Sequence, residues 1–329
     1  MQRRNNLDLI RGLAMILVVI GHEIGILEGK GVVTNPAWHV AFQAIYEIHM
    51  PILFGISGYL IQGKVNRDTQ IGKMVWKNVL ALYVPFLILT YVYFLERLIA
   101  NASGTQLQVP LDTSFAGVAR LAWYGNGRLE WFLLSLLMIR LLYIICSKLG
   151  APLASHIVYI TAAVLMIWFG YVQVVNYMSY GVFFSVGCLA SRYEIPKRKL
   201  PTLPICILLI VLGLAWSGAG LSRVDVISKL LIGGSVTVLL LMLPEVPRRE
   251  AFCFFGKYSM VLYMVHGLTQ NILFTILTGK IGLHNGAIEL LTTLLLQITI
   301  AAVVIWMFES SRIFGWVRYI FYPDKLCTK

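Results

Sequence analysis

The sequence carries little charge. Asp, Glu, Lys and Arg make up only 13% of its 329 residues, whereas a soluble domain has about 25%. Its five cysteines form no CxxC motif and no cluster, which argues against a disulfide framework and against a thiolate metal site. The chain also has no internal repeat and no low-complexity tract. These absences argue against a soluble, a disulfide-rich or a repetitive domain.

Hydrophobic residues, in contrast, make up 58% of the chain. They occur in repeated runs of about 17 to 23 residues, the length at which a helix crosses a bilayer. Such runs are too long and too uniformly apolar for strands of a membrane barrel. We predict an all-α, polytopic transmembrane helical bundle of about ten spans. The predicted spans are residues 7–26, 40–62, 79–99, 129–147, 155–172, 175–191, 204–219, 224–243, 258–278 and 286–308.

The basic residues follow the positive-inside rule. The net charge of +12 does not indicate nucleic acid binding, because Lys and Arg lie in short loops between the apolar runs. With a cytoplasmic N-terminus, roughly three quarters of the 27 Lys and Arg residues fall on the inner side, which predicts that both termini are cytoplasmic. This assignment treats Arg140 as an inner charge and Lys229 as an outer one. Arg3 and Arg4 precede the first apolar run, but no A-x-A site follows it, so the run is predicted to be a retained span.

Two connections also carry predictions. The longest outer loop, residues 100–128, exceeds the length at which loops are often functional. Its Ala119–Tyr124 segment is predicted to be a short helix at the membrane interface, with Trp123 as an anchor. A turn around Val174–Tyr177 is predicted to separate the fifth and sixth spans.

Arg11 and His22 are the strongest candidates for a functional pair. All ten residues between them are apolar or Gly. Eleven steps of about 100° make three turns plus roughly 20°, so both side chains lie on one helix face, about 16 Å apart along the axis. Ionisable residues inside a membrane span are costly and indicate a functional site. The alternative for Arg11 is that its side chain reaches the lipid headgroups.

The second span carries Glu47 and His49, followed by Pro51. Residues two apart point to different faces of a helix, so we expect these two side chains to contact other helices. Pro51 removes a backbone donor and is expected to kink the helix and leave one carbonyl without its helical bond. Ser57 and Gly58 are compatible with a ligand contact and equally with close helix packing.

Depth along the helices relates these residues to later spans. His22 and His49 are predicted to share one polar cavity in the outer half of the membrane. Glu130 opens the fourth span near the level of His22, where it could accept a hydrogen bond and fix the imidazole tautomer. The alternative for Glu130 is a solvated carboxylate beside Arg128. His266 lies mid-membrane in the ninth span, either near the cavity or in a packing hydrogen bond.

A basic patch follows the second span. It comprises Lys64, Arg67, Lys73 and Lys77, and it faces the cytoplasm in the predicted orientation. Such a patch suits an anion such as the phosphates of a nucleotide cofactor. Ordinary positive-inside charge also explains the patch, and for the patch taken by itself it is the favoured interpretation.

Four separated blocks of the sequence, taken together, resemble the acyltransferase-3 family of membrane O-acyltransferases. The blocks are Leu7-Asp8-x-x-Arg11-Gly12 with His22, the HMPILFGISGY run at 49–59, EWFL at 130–133 and YSMVLYMVH at 258–266. The His-Met-Pro form is closest to the branch named for fucose 4-O-acetylases. The resemblance extends over nearly the whole chain.

Two departures from the family pattern matter. Many members have an Arg-x-x-Arg pair after the second helix, whereas this chain has Lys73 and Lys77. The SGNH esterase-like domain of some relatives is not expected either, so residues 1–329 are predicted to be one acyltransferase-3-like membrane domain.

The resemblance implies a reaction and its substrates. The expected donor is cytoplasmic acetyl-CoA, and no metal is expected. The expected acceptor is a sugar hydroxyl of a surface polysaccharide or a lipid-linked precursor. The enzyme would then be a multi-pass protein of the bacterial inner membrane, in contact with membrane lipids.

Acyl transfer to a hydroxyl needs a base, an oxyanion donor and alignment of both substrates. We assign His22 as the base and Glu130 as the residue that orients it. Arg11, Lys73 and Lys77 are predicted to hold the donor. The residues predicted to line the channel or to bond the carbonyl oxygen are His49, Ser57, Tyr263 and His266. The rival hypothesis is a transporter or flippase of a polysaccharide precursor, although the chain lacks matching halves with paired helix breaks.

Overall fold

A computed structural model of the chain describes residues 5–65, 70–102, 111–126, 129–169, 173–195, 199–218, 225–243 and 250–310. All regular structure in these ranges is helical, which confirms the predicted all-α class. The helices are α1 (Asn5–Gly29), α2 (Pro36–Val65), α3 (Ile71–Asn78), α4 (Val84–Ala102), α5 (Phe115–Tyr124), α6 (Trp131–Lys148), α7 (Pro152–Phe169), α8 (Gln173–Ser179), α9 (Gly181–Arg192), α10 (Lys199–Gly218), α11 (Asp225–Leu241), α12 (Glu250–Lys257), α13 (Ser259–Phe274) and α14 (Gly286–Ser310).

Apolar composition and length together explain why these segments are helical. In lipid every backbone N–H and C=O must be bonded within the protein, and a helix achieves this locally. Eight helical segments of the described chain are long and apolar enough to cross a membrane, and α10 and α11 contain shorter apolar stretches. Each of the ten predicted spans overlaps one of these ten segments. The number that actually cross the membrane stays a prediction.

Two predicted boundaries were wrong. The third span begins at Ile71 and not at residue 79, because α3 continues through a π-helical turn, Val79–Tyr83, into α4. The turn predicted at Val174–Tyr177 is helical and belongs to α8. Each predicted segment therefore overlaps a helix, but the ends differ where α3 and α8 continue beyond the predicted spans.

Helix α2 lies at the centre and packs against α1, α9 and α11. Its buried stretch from Pro51 to Gly58 approaches α9 very closely. A Cβ atom on Gly58 would lie 2.9 Å from the carbonyl carbon of Phe184, closer than side chains tolerate. Gly58 therefore serves close helix packing, which was one of the two interpretations of the Ser57–Gly58 pair.

The cytoplasmic end of α1, in the predicted orientation, is covered by α12. A chain of hydrogen bonds lies nearby: the Lys257 Nζ donates to the Tyr258 hydroxyl over 2.6 Å, and this hydroxyl donates to Glu309 over 3.1 Å. The last turn of α14 is thereby tied to the junction of α12 and α13.

The short helix predicted in the long outer loop is present as α5. The Ser114 hydroxyl caps it by accepting a hydrogen bond from the Gly117 amide over 3.0 Å. Trp123 near its end is 72% exposed, as an interfacial anchor would be. Residues 103–110 of this loop lie outside the described part of the chain.

Candidate functional site

A cavity of about 420 Å³ lies between α1, α2, α11, α13 and the start of α6. Its volume is in the range of small-molecule sites, about 300 to 1,000 Å³. We call it the histidine cavity. Apolar side chains such as Val18, Leu53 and Phe132 form part of its wall. The polar side chains that line it include His22, Tyr46, His49, Lys229, Tyr263 and Gln270.

His22 projects from α1, which runs unbroken from Asn5 to Gly29 and so carries Arg11 and His22 on one helix, as predicted. The His22 Nδ1 lies 3.1 Å from the Tyr46 hydroxyl on α2. The His22 ring also stacks on His266, with ring centroids 5.7 Å apart. These contacts hold the imidazole at the cavity wall and bring the first and ninth predicted spans together.

Backbone carbonyls determine which ring nitrogen of His49 and of His266 carries the proton. The Nδ1 of His49 lies 2.6 Å from the Ile45 carbonyl, and the Nδ1 of His266 lies 3.2 Å from the Leu262 carbonyl. A carbonyl oxygen only accepts, so the proton of each neutral imidazole is on Nδ1. Each Nε2 then keeps a lone pair and is an acceptor. The His266 Nε2 is buried without a hydrogen-bond partner.

Glu130 does not contact His22 as the sequence suggested. It is fully buried, and its carboxylate accepts a hydrogen bond from the Asn126 amide. The Asn126 side chain in turn donates to the Thr90 carbonyl over 2.6 Å. Glu130 therefore holds Asn126 near the start of α6, where Trp131 lines the cavity. Tyr46 is the residue that lies beside His22.

Tyr263 lines the cavity as predicted, but its hydroxyl donates to the Leu129 carbonyl. Its ring packs against His266, with centroids 5.4 Å apart. Gln270 lies two turns further along α13, with a buried Oε1 that has no hydrogen-bond partner. The α13 wall thus offers acceptor atoms to a ligand.

Comparison with known protein families finds one family whose match includes nearly the whole chain. Residues 4–308 match the acyltransferase-3 family, whose description is an acyltransferase domain. The chain belongs to the acyltransferase-3 family. The fucose 4-O-acetylase-like branch stays a prediction.

Two nodulation proteins named NolL are similar over shorter stretches. The protein of Sinorhizobium fredii is 36% identical over 81 residues, which are 24% of this chain and 21% of the relative. The protein of Mesorhizobium japonicum is 30% identical over 120 residues, which are 35% of this chain and 31% of the relative. Each match therefore spans well under half of either protein. No solved structure matches the chain.

Ser57, predicted to line the channel, belongs to a different polar group in this family member. Its hydroxyl accepts a hydrogen bond from the Arg140 Nε over 2.7 Å. The Arg140 Nη1 also donates to the Asn78 Oδ1 over 3.3 Å. We call Ser57, Asn78 and Arg140 the arginine cluster. Arg140, counted from the sequence among the inner charges, lies in the middle of α6.

The residues predicted to hold the donor lie outside the histidine cavity. The Arg11 side chain is a quarter exposed, and its Nη1 is 4.0 Å from Asp8. Lys73 is exposed and Lys77 half-buried on α3. Helix α3 packs on α6, whereas α1 packs on α2 and α12. Their role in donor binding stays a prediction.

Sequence reasoning missed three cavity residues. Tyr46 was overlooked because a tyrosine in an apolar span resembles ordinary packing. Lys229 was counted with the outer charges although it falls in the predicted span 224–243, and it lines the cavity from α11. Gln270 carries no charge and belongs to no motif. An intramembrane Lys only four residues into a helix was the one available signal.

No group of three or more His, Cys, Asp or Glu side chains in the described ranges is arranged to hold a metal ion. Cys146, Cys188 and Cys206 are free thiols, and the last two are buried.

Proposed function

We propose that this protein is an integral-membrane O-acetyltransferase that moves an acetyl group from cytoplasmic acetyl-CoA to a sugar hydroxyl. The observation that carries the proposal is the histidine cavity, where an imidazole held by a tyrosine sits in an apolar, small-molecule-sized space. Membership of an acyltransferase family supports the same reaction class. The acceptor is a surface polysaccharide or a lipid-linked precursor of one.

His22 acts as the general base. In the tautomer with its proton on Nδ1, His22 donates to the Tyr46 hydroxyl and keeps a lone pair on Nε2. The acceptor hydroxyl gives its proton to this lone pair while its oxygen attacks the thioester carbon. A carbon–oxygen bond forms, and the carbonyl π electrons move to oxygen. When this intermediate collapses, the carbon–sulfur bond breaks and the imidazolium returns the proton to the thiolate sulfur.

The two substrates enter from opposite sides of the bacterial inner membrane. Arg11, Lys73 and Lys77 hold the phosphates of the donor at the cytoplasmic mouth, about 16 Å below His22 along α1. The acceptor enters near the loop at 100–128. Residues 1–329 act as one acyltransferase domain, and the membrane lipids surround it.

The rival function, transport or flipping of a polysaccharide precursor, has less support. It requires a pathway but no base, and it does not explain why His49 and His266, beside His22, have their tautomers fixed by backbone carbonyls. Family membership also favours transfer.

The test is acetyl-CoA turnover by purified protein in lipid nanodiscs. Release of the CoA thiol measures hydrolysis in the absence of an acceptor, and labelled acetyl transfer is measured with membrane polysaccharide added. We expect turnover by the wild type and a loss of about 10² to 10⁴-fold in His22→Ala, the range of general base catalysis.

The matched control is His39→Ala. His39 lies on the same helix as His49 but is exposed, 3.5 Å from Glu28 and away from the cavity. It should leave turnover unchanged. Full activity of a well-folded His22→Ala protein, or no turnover by the wild type, would refute the proposed function.

A further inference from the structure

Acyl transfer needs a hydrogen-bond donor or a positive charge where the carbonyl oxygen becomes an oxyanion. Four residues were candidates from the sequence: His49, Ser57, Tyr263 and His266. The structure directs the side-chain protons of His49, Tyr263 and His266 to backbone carbonyls, and it places Ser57 outside the cavity lining. The question is therefore which other group in the histidine cavity can bind the oxyanion.

The neutral forms of His49 and His266 donate from Nδ1 to backbone carbonyls, so their Nε2 atoms only accept. The Tyr263 hydroxyl donates to the Leu129 carbonyl. Ser57 is bonded to Arg140 outside the cavity lining. Three of the four therefore present no proton in these tautomers, and the fourth is not at the site.

Lys229 is different, because it brings a positive charge and three N–H donors into the same cavity. An ammonium that bonds one neighbour still has donors for a second. Among the described residues that line the cavity, it is the one Lys or Arg side chain. In a cavity walled partly by apolar side chains, an ammonium acts on a nearby oxyanion with less screening than in water.

Contacts on either side of Lys229 hold it at the cavity. The Ser228 hydroxyl donates to Glu47 on α2 over 3.3 Å. One turn further, a Cβ atom on Gly233 would lie 2.5 Å from the Pro51 ring, so α11 approaches α2 closely at Pro51 because Gly233 has no side chain. Residues 229 and 233 share one face of α11. The glycine contact therefore turns Lys229 toward the helix that carries His49.

We propose that the Lys229 ammonium binds the carbonyl oxygen of the transferred acyl group and stabilises the oxyanion of the tetrahedral intermediate. This inference rests on the proposed function and names the partner of His22 in it. No proton leaves Lys229 in this role: His22 moves the proton, and Lys229 donates hydrogen bonds to an oxygen whose charge grows and then disappears.

The experiment compares Lys229→Met, Lys229→Arg and the control Lys280→Met in nanodiscs. Met has a side chain of similar length to that of Lys but no charge. Lys280 is a suitable control because it is exposed and lies beyond the end of α13. For acetyl-CoA hydrolysis we expect kcat to fall about 10²-fold in Lys229→Met, as on loss of an oxyanion donor. The KM for acetyl-CoA should stay within about threefold, Lys229→Arg should regain most of the rate, and Lys280→Met should match the wild type.

A second readout separates charge stabilisation from a structural role. Methoxyacetyl-CoA and butyryl-CoA have acyl groups of similar size, but the ether oxygen withdraws electrons and stabilises the oxyanion itself. Lys229→Met should therefore lose less activity with methoxyacetyl-CoA than with butyryl-CoA. A misfolded variant would lose the same proportion with both donors.

Several outcomes overturn the inference. An active wild type with an equally active Lys229→Met would reject the role of Lys229 while leaving the proposed function standing. Equal losses with both acyl donors would make Lys229 structural. Unchanged hydrolysis with a loss only in transfer to polysaccharide would make it an acceptor-binding residue. An inactive wild type would instead reject the proposed function itself.

Discussion

The histidine cavity and the arginine cluster are both polar groups inside an apolar bundle, yet they are bonded in opposite ways. In the cavity, His49 and His266 donate to carbonyls one turn earlier on their own helices. In the cluster, Arg140 on α6 donates to Ser57 on α2 and Asn78 on α3. The bonds of these two histidines stay within one helix, whereas the bonds of Arg140 join different helices.

The difference indicates what each polar group does. A bond within one helix fixes the tautomer of a side chain but does not tie that helix to another, so its remaining atoms are available to a ligand. A bond between helices fixes their relative position and uses the polar atoms to do so. We therefore expect the cavity to control rate and the cluster to control stability.

The strongest test of the comparison is Arg140→Ala. It removes two hydrogen bonds to a charged group and leaves Ser57 and Asn78 without that partner. Hydrogen bonds to charged groups contribute about 1.5 to 3 kcal/mol each, so we expect the free energy of unfolding to fall by about 3 kcal/mol. Unfolding in mixed micelles, followed by circular dichroism, measures it.

The control for that variant is Arg192→Ala. Arg192 lies exposed at the end of α9, with its guanidinium 5.9 Å from the Tyr193 ring. An exposed substitution should change stability by less than about 0.5 kcal/mol. If Arg140→Ala were as stable as the wild type but could no longer use acetyl-CoA, the arginine cluster would be a ligand site and the comparison would fail.

The sequence predicted the helices well because the bilayer imposes one rule on every span. It also predicted that His22 and His49 would share a cavity, because depth along a helix follows from residue number alone. It could not predict rotation about each helix axis. Glu130 was therefore expected beside His22, whereas Tyr46 is the residue that the rotation of α2 places there.

The surroundings of two basic residues were predicted wrongly from the sequence. Arg140 and Lys229 were both treated as loop charges, because hydropathy patterns assign basic residues to span ends. Both lie in helices and face other protein groups. Burial of such residues depends on partners from helices distant in the sequence, which no local pattern reveals.

The bond between Gln297 and Glu23 joins two helices close to the cavity and gives a second test of the comparison. Gln297 on α14 donates to Glu23 on α1 over 2.9 Å, and both are buried. Glu23 follows His22 directly but turns about 100° away from it. Gln297→Leu should lower the free energy of unfolding by about 1 to 2 kcal/mol, because it leaves a buried carboxylate without this donor, and should not change kcat.

The double variant Glu23→Leu with Gln297→Leu should recover most of that loss. Replacing both partners by apolar groups of similar size removes the unsatisfied carboxylate together with its bond. A fall in turnover in the double variant, without a fall in stability, would instead show that this pair contributes to the reaction in the histidine cavity.

The smallest expected effect comes from Tyr46→Phe, which tests a bond that joins α1 and α2 inside the cavity. The variant keeps the ring that packs on Phe42 and His49, at centroid distances of 4.1 and 4.8 Å, and removes only the hydroxyl 3.1 Å from His22. A neutral hydrogen bond contributes about 0.5 to 1.5 kcal/mol, so kcat should fall about 3- to 10-fold.

If Tyr46 positions the base, KM for acetyl-CoA and the unfolding midpoint should both stay at the wild-type values, since only the tautomer and orientation of His22 are affected. Adding Tyr46→Phe to His22→Ala should then cost no further activity, because the hydroxyl acts through the imidazole. An equal further loss in the double variant would show that Tyr46 acts independently of His22. A lower unfolding midpoint would show that this bond stabilises the packing of helices, as the bonds of the arginine cluster do. A bond between helices would then be structural even inside the cavity.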